Sequence, residues 1–302
     1  MEKEFHSNGK LLLTGEYVVL NGAKALAIPT KYGQNLKIKT SNNHGIHWKS
    51  LDEKGEVWFE ELFSSDSLLG NDFQNPISLT LSKILQEAKK LNPKFLSKGI
   101  GLEVRTELDF SRDWGLGTSS TLINNIAQWA EVNAFYLLSN SFGGSGYDIA
   151  AAQHNFPIFY KVKNNRPEIE KAFLNWNFKE SLFFVHLNQK QDSKEGIAHY
   201  RKAELDKKVI QRISDISIQL CECKSIKDFE HLLEEHERII SKTINLPTIK
   251  ERLFSDYSGV IKSLGAWGGD FVLAGGTEQN QEYFRKRGYE TIINFNEMFI
   301  AQ

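Results

Sequence analysis

A strand that turns through glycines into a helix is the feature that most constrains this chain. Residues 99–109 (GIGLEVRTELD) alternate apolar and charged side chains, as a half-buried strand does. The stretch SRDWGLGTSST follows at 111–121, and Leu122, Ile126 and Trp129 then recur at helical spacing. The sequence therefore predicts a strand, a glycine turn and an amphipathic helix in succession.

This turn has the features of a phosphate-binding site. The first N–H groups of a helix lack intrahelical partners and carry the partial positive charge of the helix end. Gly115 and Gly117 allow the backbone to approach an anion closely. The hydroxyls that follow can cap the helix or donate to phosphate and metal-bound water, and they belong to Thr118, Ser119 and Ser120. An ordinary hydroxyl cap is the alternative interpretation. No Walker A lysine follows the glycines, and the G-x-G-x-x-G spacing is absent.

Composition favours a globular protein with a small-molecule partner. Of 302 residues, 40% are hydrophobic and 25% are charged, which argues against disorder. The 37 basic residues nearly cancel the 38 acidic ones, so a net charge of -1 gives no broad electrostatic footprint for nucleic acid or anionic lipid. No stretch approaches the roughly 18 apolar residues of a membrane span. The length suffices for two domains.

The N-terminus and the cysteines predict a cytoplasmic location. The first residues, MEKEFHSNGK, are charged and polar, unlike a secretory signal. Cys221 and Cys223 have neither the number nor the spacing of a disulfide framework or a metal site. His231 and His236 in HLLEEH lie five positions apart, about 140° around a helix, so a solvated helix face explains them better than a zinc site.

Strand-like and helical stretches are interspersed without strict alternation, which predicts an α+β fold. A first strand at Leu11–Leu13 is expected to lead, through Thr14-Gly15-Glu16, into a second strand at Tyr17–Leu20 that ends in an Asn21-Gly22 hairpin turn. A helix is expected over 78–91. The polar stretch NNRPEIEK at 164–171 is the predicted passage between two domains, 1–165 and 166–302. Further strands are expected at 35–40, 55–62 and 156–162. The second half begins with the apolar stretch SLFFVHL at 181–187, continues through long charged helices between about 194 and 243, and closes with GAWGGDFVLAGG at 265–276 and YETIINF at 289–295.

Four stretches resemble the motifs of the GHMP kinases, in the family's order along the chain. They are NGKLLLTGEY at 8–17 (family form P-G-K-x-x-L-x-G-E-[HY]), GLGTSS at 115–120 (G-L-G-S-S-[AS]), GSGYD at 144–148 (G-S-G-x-D) and GAWGGD at 265–270 (G-A-G-G-G). The resemblance is to mevalonate and phosphomevalonate kinases in particular. It implies an N-terminal domain like ribosomal protein S5 domain 2, with a left-handed β-α-β unit, and a ferredoxin-like C-terminal domain.

The resemblance also implies roles for individual residues, with ATP and Mg²⁺ as cofactors. Asp148 would take the proton of the acceptor hydroxyl, and Lys10 would lie near that hydroxyl and the transferred phosphoryl group. From the residues alone, a helix N-cap for Asp148 and a solvated strand end for Lys10 are the alternatives. The implied nucleotide-binding residues are Gly115, Leu116, Gly117, Thr118, Ser119 and Ser120, with Ser120 also a metal ligand. The implied substrate-binding residues are Glu16, Tyr17, Gly144, Ser145, Gly265, Gly268 and Gly269.

The chain departs from the family pattern in three places. No proline precedes the glycines of the second motif. In the third motif Trp267 replaces a glycine and Asp270 replaces a small residue. The neighbourhood FYLLSNSF, where mevalonate kinases carry a magnesium-binding glutamate, has no carboxylate, which leaves Glu131 as a weak candidate.

Charge favours mevalonate as the acceptor over phosphomevalonate. A phosphorylated acceptor needs Lys or Arg near the catalytic aspartate, and the chain has neither between Arg112 and Lys161. Glu16-Tyr17 and Asp270 point instead to phosphomevalonate, and Lys190 and Lys194 are cations that could serve it. A ligand sensor without catalysis is a third alternative. The sequence leaves open whether two copies of the chain form a homodimer.

Overall fold

The computed structural model of the chain describes residues 2–64, 73–97, 101–189, 200, 206–265, 267 and 269–300. The strands are β1 (Glu2–Thr14), β2 (Ala25–Ser41), β3 (Ile46–Leu51), β4 (Val57–Phe63), β5 (Gly101–Leu108), β6 (Ile158–Lys163), β7 (Arg166–Lys171), β8 (Leu182–His186), β9 (Ile261–Ser263), β10 (Phe271–Gly275) and β11 (Ile292–Asn294). The helices are α1 (Pro76–Leu91), α2 (Thr118–Ala130), α3 (Ala134–Ser141), α4 (Tyr147–Ala152), α5 (Lys207–Glu222), α6 (Ile226–Ile244), α7 (Ile249–Leu253), α8 (Glu278–Arg285) and α9 (Phe295–Met298). The fold is α+β, as the sequence predicts.

The chain forms two compact units. The first unit comprises Met1–Gly9, Tyr32–Arg112 and Gly117–Gln153, and the second comprises Lys10–Lys31, Asp113–Leu116 and His154–Gln302. These boundaries differ from the predicted 1–165 and 166–302, because residues from the first and second motifs belong to the second unit. The second motif is itself divided, with its first glycine in one unit and its second glycine in the other.

In the first unit, helices pack on one face of a sheet with the order β4-β3-β5-β2. Strand β5 pairs in parallel with β3 and antiparallel with β2, where Gln34–Ser41 face Leu108–Gly101. The alternation predicted for this strand is confirmed, since Val104 is buried while Glu103 and Arg105 are exposed. The apolar faces of α1, α2 and α3 complete a core around the buried Trp48. This core fixes the strand that leads into the glycine turn and the helix that follows it.

The second unit contains an antiparallel sheet with the order β11-β8-β10-β9. Taken in chain order, its strands follow the 4-1-3-2 arrangement of a ferredoxin-like domain, which confirms that expectation. Buried apolar residues from β8, β10, α7 and α8 form its core, among them Phe183, Val272, Ile249 and Phe284. The connection between β9 and β10 carries the third motif, so the register of these two strands positions that loop.

Two local predictions are wrong. Residues Val18–Asn21 form a short 3-10 helix, and not a strand, which ends at Gly22 in the left-handed conformation. The stretch predicted as a passage between domains is half of a hairpin: β7 pairs antiparallel with β6 through a turn in which Asn164 and Asn165 both have positive φ. Asn tolerates positive φ, so Asn164-Asn165 can form the tight turn of this hairpin. The polar, proline-containing stretch that follows is β7, an edge strand, where proline is tolerated.

Candidate active site

Helix α2 begins at a glycine and carries no side-chain cap. Gly117 is the N-cap, with a φ of 91°, and among the described residues no side chain accepts a hydrogen bond from the first turn as a cap. The ordinary hydroxyl cap considered from the sequence is therefore absent. The side chains of Thr118 and Ser120 are half-buried and that of Ser119 is exposed. The first turn thus presents N–H groups and three hydroxyls together, which suits an anion.

A buried polar network inside the first unit holds α2 in place. The hydroxyl of Thr121 donates to Oε1 of Gln34 at 2.8 Å, and the side-chain amide of Asn125 donates to the Gln34 carbonyl at 2.8 Å. The Ser7 hydroxyl in turn donates to Oδ1 of Asn125 at 2.7 Å. Sequence reasoning missed this network, although the Asn-Asn pair in an otherwise apolar stretch of α2 was a signal for it. Satisfied buried polar groups of this kind favour one arrangement of the helix.

Asp148 lies in the first turn of α4, where Gly146 takes the N-cap position with a φ of 86°. The capping role considered for Asp148 therefore belongs to the glycine. The Asp148 side chain is half-buried. At the end of the same helix, the Gln153 amide donates to Oδ1 of Asn124 on α2 at 2.9 Å. Of the predicted substrate-binding residues that precede the helix, Gly144 is exposed and Ser145 is half-buried.

Lys10 is tied to the first half of the second motif within the second unit. Its backbone N–H donates to the carbonyl of Leu116 at 2.9 Å, and its Nζ donates to the carbonyl of Gly115 at 3.1 Å. Only 7% of Lys10 is exposed, so a solvated strand end is not the explanation. The structure thus brings together the lysine and the glycine loop, whose motifs lie more than a hundred residues apart in the sequence.

The carboxylate of Asp270 lies directly against this loop. A Cβ placed on Gly115 would lie 2.1 Å from both Cγ and Oδ2 of Asp270, and one placed on Gly265 would lie 3.0 Å from Oδ2. Gly115 also has a φ of 65°, which favours glycine. Asp270, which departs from the third motif of the family, therefore lies against the glycine loop of the second motif. Gly269 is buried, and the predicted Gly268 lies outside the described residues.

Glu16 belongs to a buried charged cluster in the second unit, formed with Lys262, Glu237 and His236. Glu16 is 2% exposed and pairs with Nζ of Lys262, which also lies 3.0 Å from Oε1 of Glu237. His236 accepts the Gly15 N–H at 3.0 Å and lies 3.3 Å from Oε2 of Glu16. The prediction that HLLEEH forms a solvated helix face is therefore wrong for His236, because His236 and the neighbouring Glu237 of α6 are both buried.

Burial governs the protonation of this cluster. Desolvation by burial raises the pKa of Glu16 to about 7. The attraction of Lys262 lowers this pKa and the repulsion from Glu237 raises it, but burial has the largest effect. Burial also raises the pKa of Glu237 and holds that of His236 well below its usual range, so the imidazole is neutral. Sequence reasoning missed Lys262, although a lysine between Ile261 and Leu264 in an apolar strand was a signal. The substrate-binding role of Glu16 stays a prediction, since its carboxylate already has a buried partner.

Tyr17 has an unusual backbone conformation, with a φ of 62°. It is 8% exposed, and its ring stacks on that of Tyr200 with centroids 5.8 Å apart. The Tyr200 hydroxyl donates to Oδ1 of Asn21 at 2.6 Å. A bulky residue at positive φ is strained, so the surrounding packing must hold it there.

The oxygen donors near the glycine turn suit Mg²⁺, whereas other candidates do not. Magnesium binds through one or two carboxylates together with substrate phosphates, and within the second unit Asp270 supplies a carboxylate beside Gly115. Glu131 caps the opposite end of α2, eleven residues or about 16 Å from Ser120, which argues against it. Among the described residues, no group of three or more His, Cys, Asp or Glu side chains could hold a metal ion alone. Cys221 and Cys223 are buried free thiols.

Solved structures share this architecture over nearly the whole chain. The mevalonate kinase of Methanococcus jannaschii aligns with a TM-score of 0.72 at 15% identity, covering 100% of this chain and 99% of that one. The phosphomevalonate kinase of Streptococcus pneumoniae, in complex with phosphomevalonate and AMPPNP, aligns with a TM-score of 0.65 at 16% identity, covering 94% of this chain and 95% of that one. The galactokinase of Lactococcus lactis aligns at 0.66 with 14% identity and coverages of 97% and 94%. The chain has the GHMP kinase fold.

The GHMP kinase fold is recognised here through structure. Neither a protein-family model nor a curated protein sequence matches the chain. The resemblance of the four motifs is therefore supported by an independent likeness in three dimensions. Among the described residues, no helix is both long and apolar enough to cross a membrane.

Proposed function

We propose that this chain is an ATP-dependent kinase of the GHMP type, which transfers a phosphoryl group to the hydroxyl of a small molecule. The uncapped first turn of α2 carries the proposal, because its N–H groups and hydroxyls are suited to the phosphates of a nucleotide. Lys10 supports it, since a buried ammonium held at the Gly115 carbonyl places positive charge at the same motif. The shared fold adds support, since one solved relative is bound to AMPPNP.

The proposed roles follow from the physics of phosphoryl transfer. The transition state is loose, so catalysis depends mainly on positioning groups and stabilising charge. The start of α2 would orient the phosphates, and Lys10 would stabilise charge on the transferred group. Asp148 would accept the proton of the acceptor hydroxyl. Mg²⁺, when bound, would neutralise charge on the nucleotide phosphates, with Ser120 as one of its ligands.

Mevalonate is the proposed acceptor. A phosphorylated acceptor would bring a further dianion beside the ATP phosphates and would need cations there. The stretch from residue 113 to 160 holds no Lys or Arg, and Arg112 stacks on the Trp58 ring with its guanidinium 3.6 Å from the centroid. Phosphomevalonate is the runner-up on account of Asp270 and Glu16-Tyr17. Lys190 and Lys194, which could serve it, lie outside the described residues.

A non-catalytic ligand sensor is the second candidate. Loss of catalysis in this fold would be expected to remove the lysine or the aspartate, and both Lys10 and Asp148 are present. A kinase is therefore favoured. A sensor would bind nucleotide or acceptor without turnover, which gives the two candidates different outcomes in one assay.

The test is a panel of acceptors with the purified protein and MgATP. Mevalonate, phosphomevalonate, galactose and homoserine are compared by ADP release and by phosphorus NMR of the product, with the Asp148→Asn variant as a control for contaminating kinases. We expect the highest kcat/KM with mevalonate. A phosphomevalonate value at least about tenfold higher would overturn the choice of acceptor and implicate Lys190 and Lys194. Nucleotide binding without turnover of any acceptor would favour the sensor.

A further inference from the structure

The glycine loop of the second motif already contains an anion of the chain's own. The carboxylate of Asp270 occupies the space that a side chain at position 115 would need. The sequence interpretation assigned that space to a phosphate, which the glycine would allow to approach. Asp270 is 9% exposed, so its carboxylate is largely enclosed by the protein.

Contacts within the second unit hold the loop and the carboxylate together. Nε2 of His186 lies 3.2 Å from the Asp113 carbonyl, and the Trp114 ring meets Phe271 edge to face at 5.6 Å. The backbone carbonyl of Asp270 accepts the Leu187 N–H at 2.8 Å. Asp270 is therefore anchored directly before β10. The loop at 113–115 packs against His186 at the end of β8 and Phe271 at the start of β10.

Electrostatics then restrict what can bind at this loop. A nucleotide phosphate near Gly115 would meet the Asp270 carboxylate, and two anions in a partly desolvated site repel strongly. Lys10 supplies one positive charge at the Gly115 carbonyl, which does not balance a triphosphate and a carboxylate together. A divalent cation bound by both the phosphates and the Asp270 carboxylate would replace their mutual repulsion with attraction of each group to the cation. Mg²⁺ favours such a set of carboxylate and phosphate oxygens.

We propose that Asp270 is a magnesium ligand in the nucleotide complex, so that the loop accepts the metal complex of the nucleotide and rejects the free nucleotide. This inference rests on the proposed function, because it concerns the same nucleotide site. It supplies the carboxylate that the stretch FYLLSNSF lacks. It also gives a physical reason for an aspartate in the third motif, where the family has a small residue.

The test compares the affinities for AMPPNP with Mg²⁺ and with EDTA, measured by calorimetry. We expect the wild type to bind the magnesium complex at least about tenfold more tightly than the free nucleotide. Asp270→Asn should weaken binding with Mg²⁺, strengthen binding in EDTA and bring the ratio close to one. Asp113→Asn is the matched control, because it removes an exposed carboxylate of the same loop and should leave the ratio unchanged.

A second variant tests direct ligation. Asp270→Cys should shift the metal preference for nucleotide binding from Mg²⁺ towards Cd²⁺, because a thiolate is a softer ligand. A purely structural carboxylate would give no such shift. The native thiols, Cys221 and Cys223, are buried, and the wild type measured with Cd²⁺ controls for them.

The outcomes separate this inference from the proposed function. If folded Asp270→Asn keeps the wild-type ratio, or if its affinity rises equally with and without Mg²⁺, Asp270 is not a ligand and only this inference is overturned. If the wild type binds neither form of the nucleotide, the proposed function is overturned and this inference with it. Should Asp270→Asn fail to fold, the cadmium measurement on Asp270→Cys decides: an unchanged metal preference overturns the inference.

Discussion

Glu16 and Lys262 lie 246 residues apart in the chain and form an ion pair in the interior of the second unit. The same ammonium also lies 3.0 Å from Glu237, so one fully buried cation faces two carboxylates. Ser263 adds a hydrogen bond to Glu237 at 2.9 Å. The pairing joins the first motif, helix α6 and the strand that leads into the third motif.

Removing the shared cation should strongly destabilise the protein. Lys262→Met leaves two buried carboxylates without a counter-charge, and breaking a buried pair from one side typically costs about 3–5 kcal/mol. Denaturant unfolding at neutral pH measures the free energy of unfolding. The control is Lys163→Met, whose exposed pair with Glu168 is expected to contribute less than about 1 kcal/mol. A Lys262→Met variant as stable as this control would show that the cluster contributes little.

The free energy of unfolding should depend on the protonation of Glu16. Its pKa is raised from 4.5 to about 7 in the folded protein, so between these values the folded state holds a proton that the unfolded chain has lost. This contribution is complete below pH 4.5 and is lost as the pH rises through 7. Of the groups that face Glu16, Lys262 remains charged and Glu237 shifts in the same direction. The lowered pKa of His236 has the opposite effect: below pH 6.5 the unfolded chain binds a proton that the folded imidazole does not, so this contribution to the free energy of unfolding increases as the pH rises towards 6.5.

Glu16→Gln isolates this effect. The glutamine resembles the protonated acid and does not titrate, so the variant should gain stability relative to the wild type, by about 1–3 kcal/mol, as the pH rises from about 5 to 8. Unfolding curves of both proteins across this range provide the measurement, with exposed Glu168→Gln as the control. A stability difference that is constant with pH would contradict the assignment of the raised pKa to Glu16.

Gly115→Ala should be costly because of Asp270. The new Cβ would lie 2.1 Å from the Asp270 carboxyl carbon at a φ of 65°, and such a clash should cost about 2–4 kcal/mol. In an Asp270→Gly background, which also removes the Asp270 Cβ that would lie 2.7 Å from the new Cβ, the cost should fall to the backbone strain alone, about 1–2 kcal/mol. Thermal unfolding of the four proteins forms the cycle. Gly144→Ala is the control for positive φ, since its Cβ would meet no atom within 4 Å. If the destabilisations by the substitutions at positions 115 and 270 were additive, the Asp270 carboxylate would be free to move away from the new Cβ, which would contradict this prediction.

Asp148→Asn should retain the fold and nucleotide binding while lowering turnover by about 10²- to 10⁴-fold, the usual effect of losing a general base. Steady-state kinetics with the best acceptor and calorimetry with AMPPNP measure the two properties. Glu131→Gln, at the far end of α2, is the control and should keep full turnover. A folded Asp148→Asn variant with most of its activity would place the base elsewhere.

Gly117→Val should weaken nucleotide binding while the fold persists. Gly117 has a φ of 91° at the start of α2, where a branched side chain is strained and would crowd a phosphate. Affinity for AMPPNP and the circular dichroism spectrum are the measurements. A folded variant with wild-type affinity would remove the loop from the proposed nucleotide site.

Several elements could be predicted because their determinants are local. The alternation of β5, the glycine turn and the apolar spacing of α2 lie within thirty-two consecutive residues, from 99 to 130, and the structure confirms them. Local signals also misled. Val18–Asn21 reads as a strand by its apolar residues, yet packing and the left-handed Gly22 make it a 3-10 helix. Residues Arg166–Lys171 read as a linker by polarity, yet they pair with β6 as an edge strand.

The sequence by itself determined the order of the four motifs, the start of α2 and the class of fold, since turn chemistry and hydrophobic period act over a few residues. Only the tertiary structure decided that Lys262 pairs with Glu16, that His236 faces inward and that Asp270 fills the space at Gly115. Each of these contacts joins residues far apart in the chain. They depend on the register of β9 and β10 and on the packing of α6, which no local pattern specifies, and a buried charge takes its partner from whichever element the fold brings beside it.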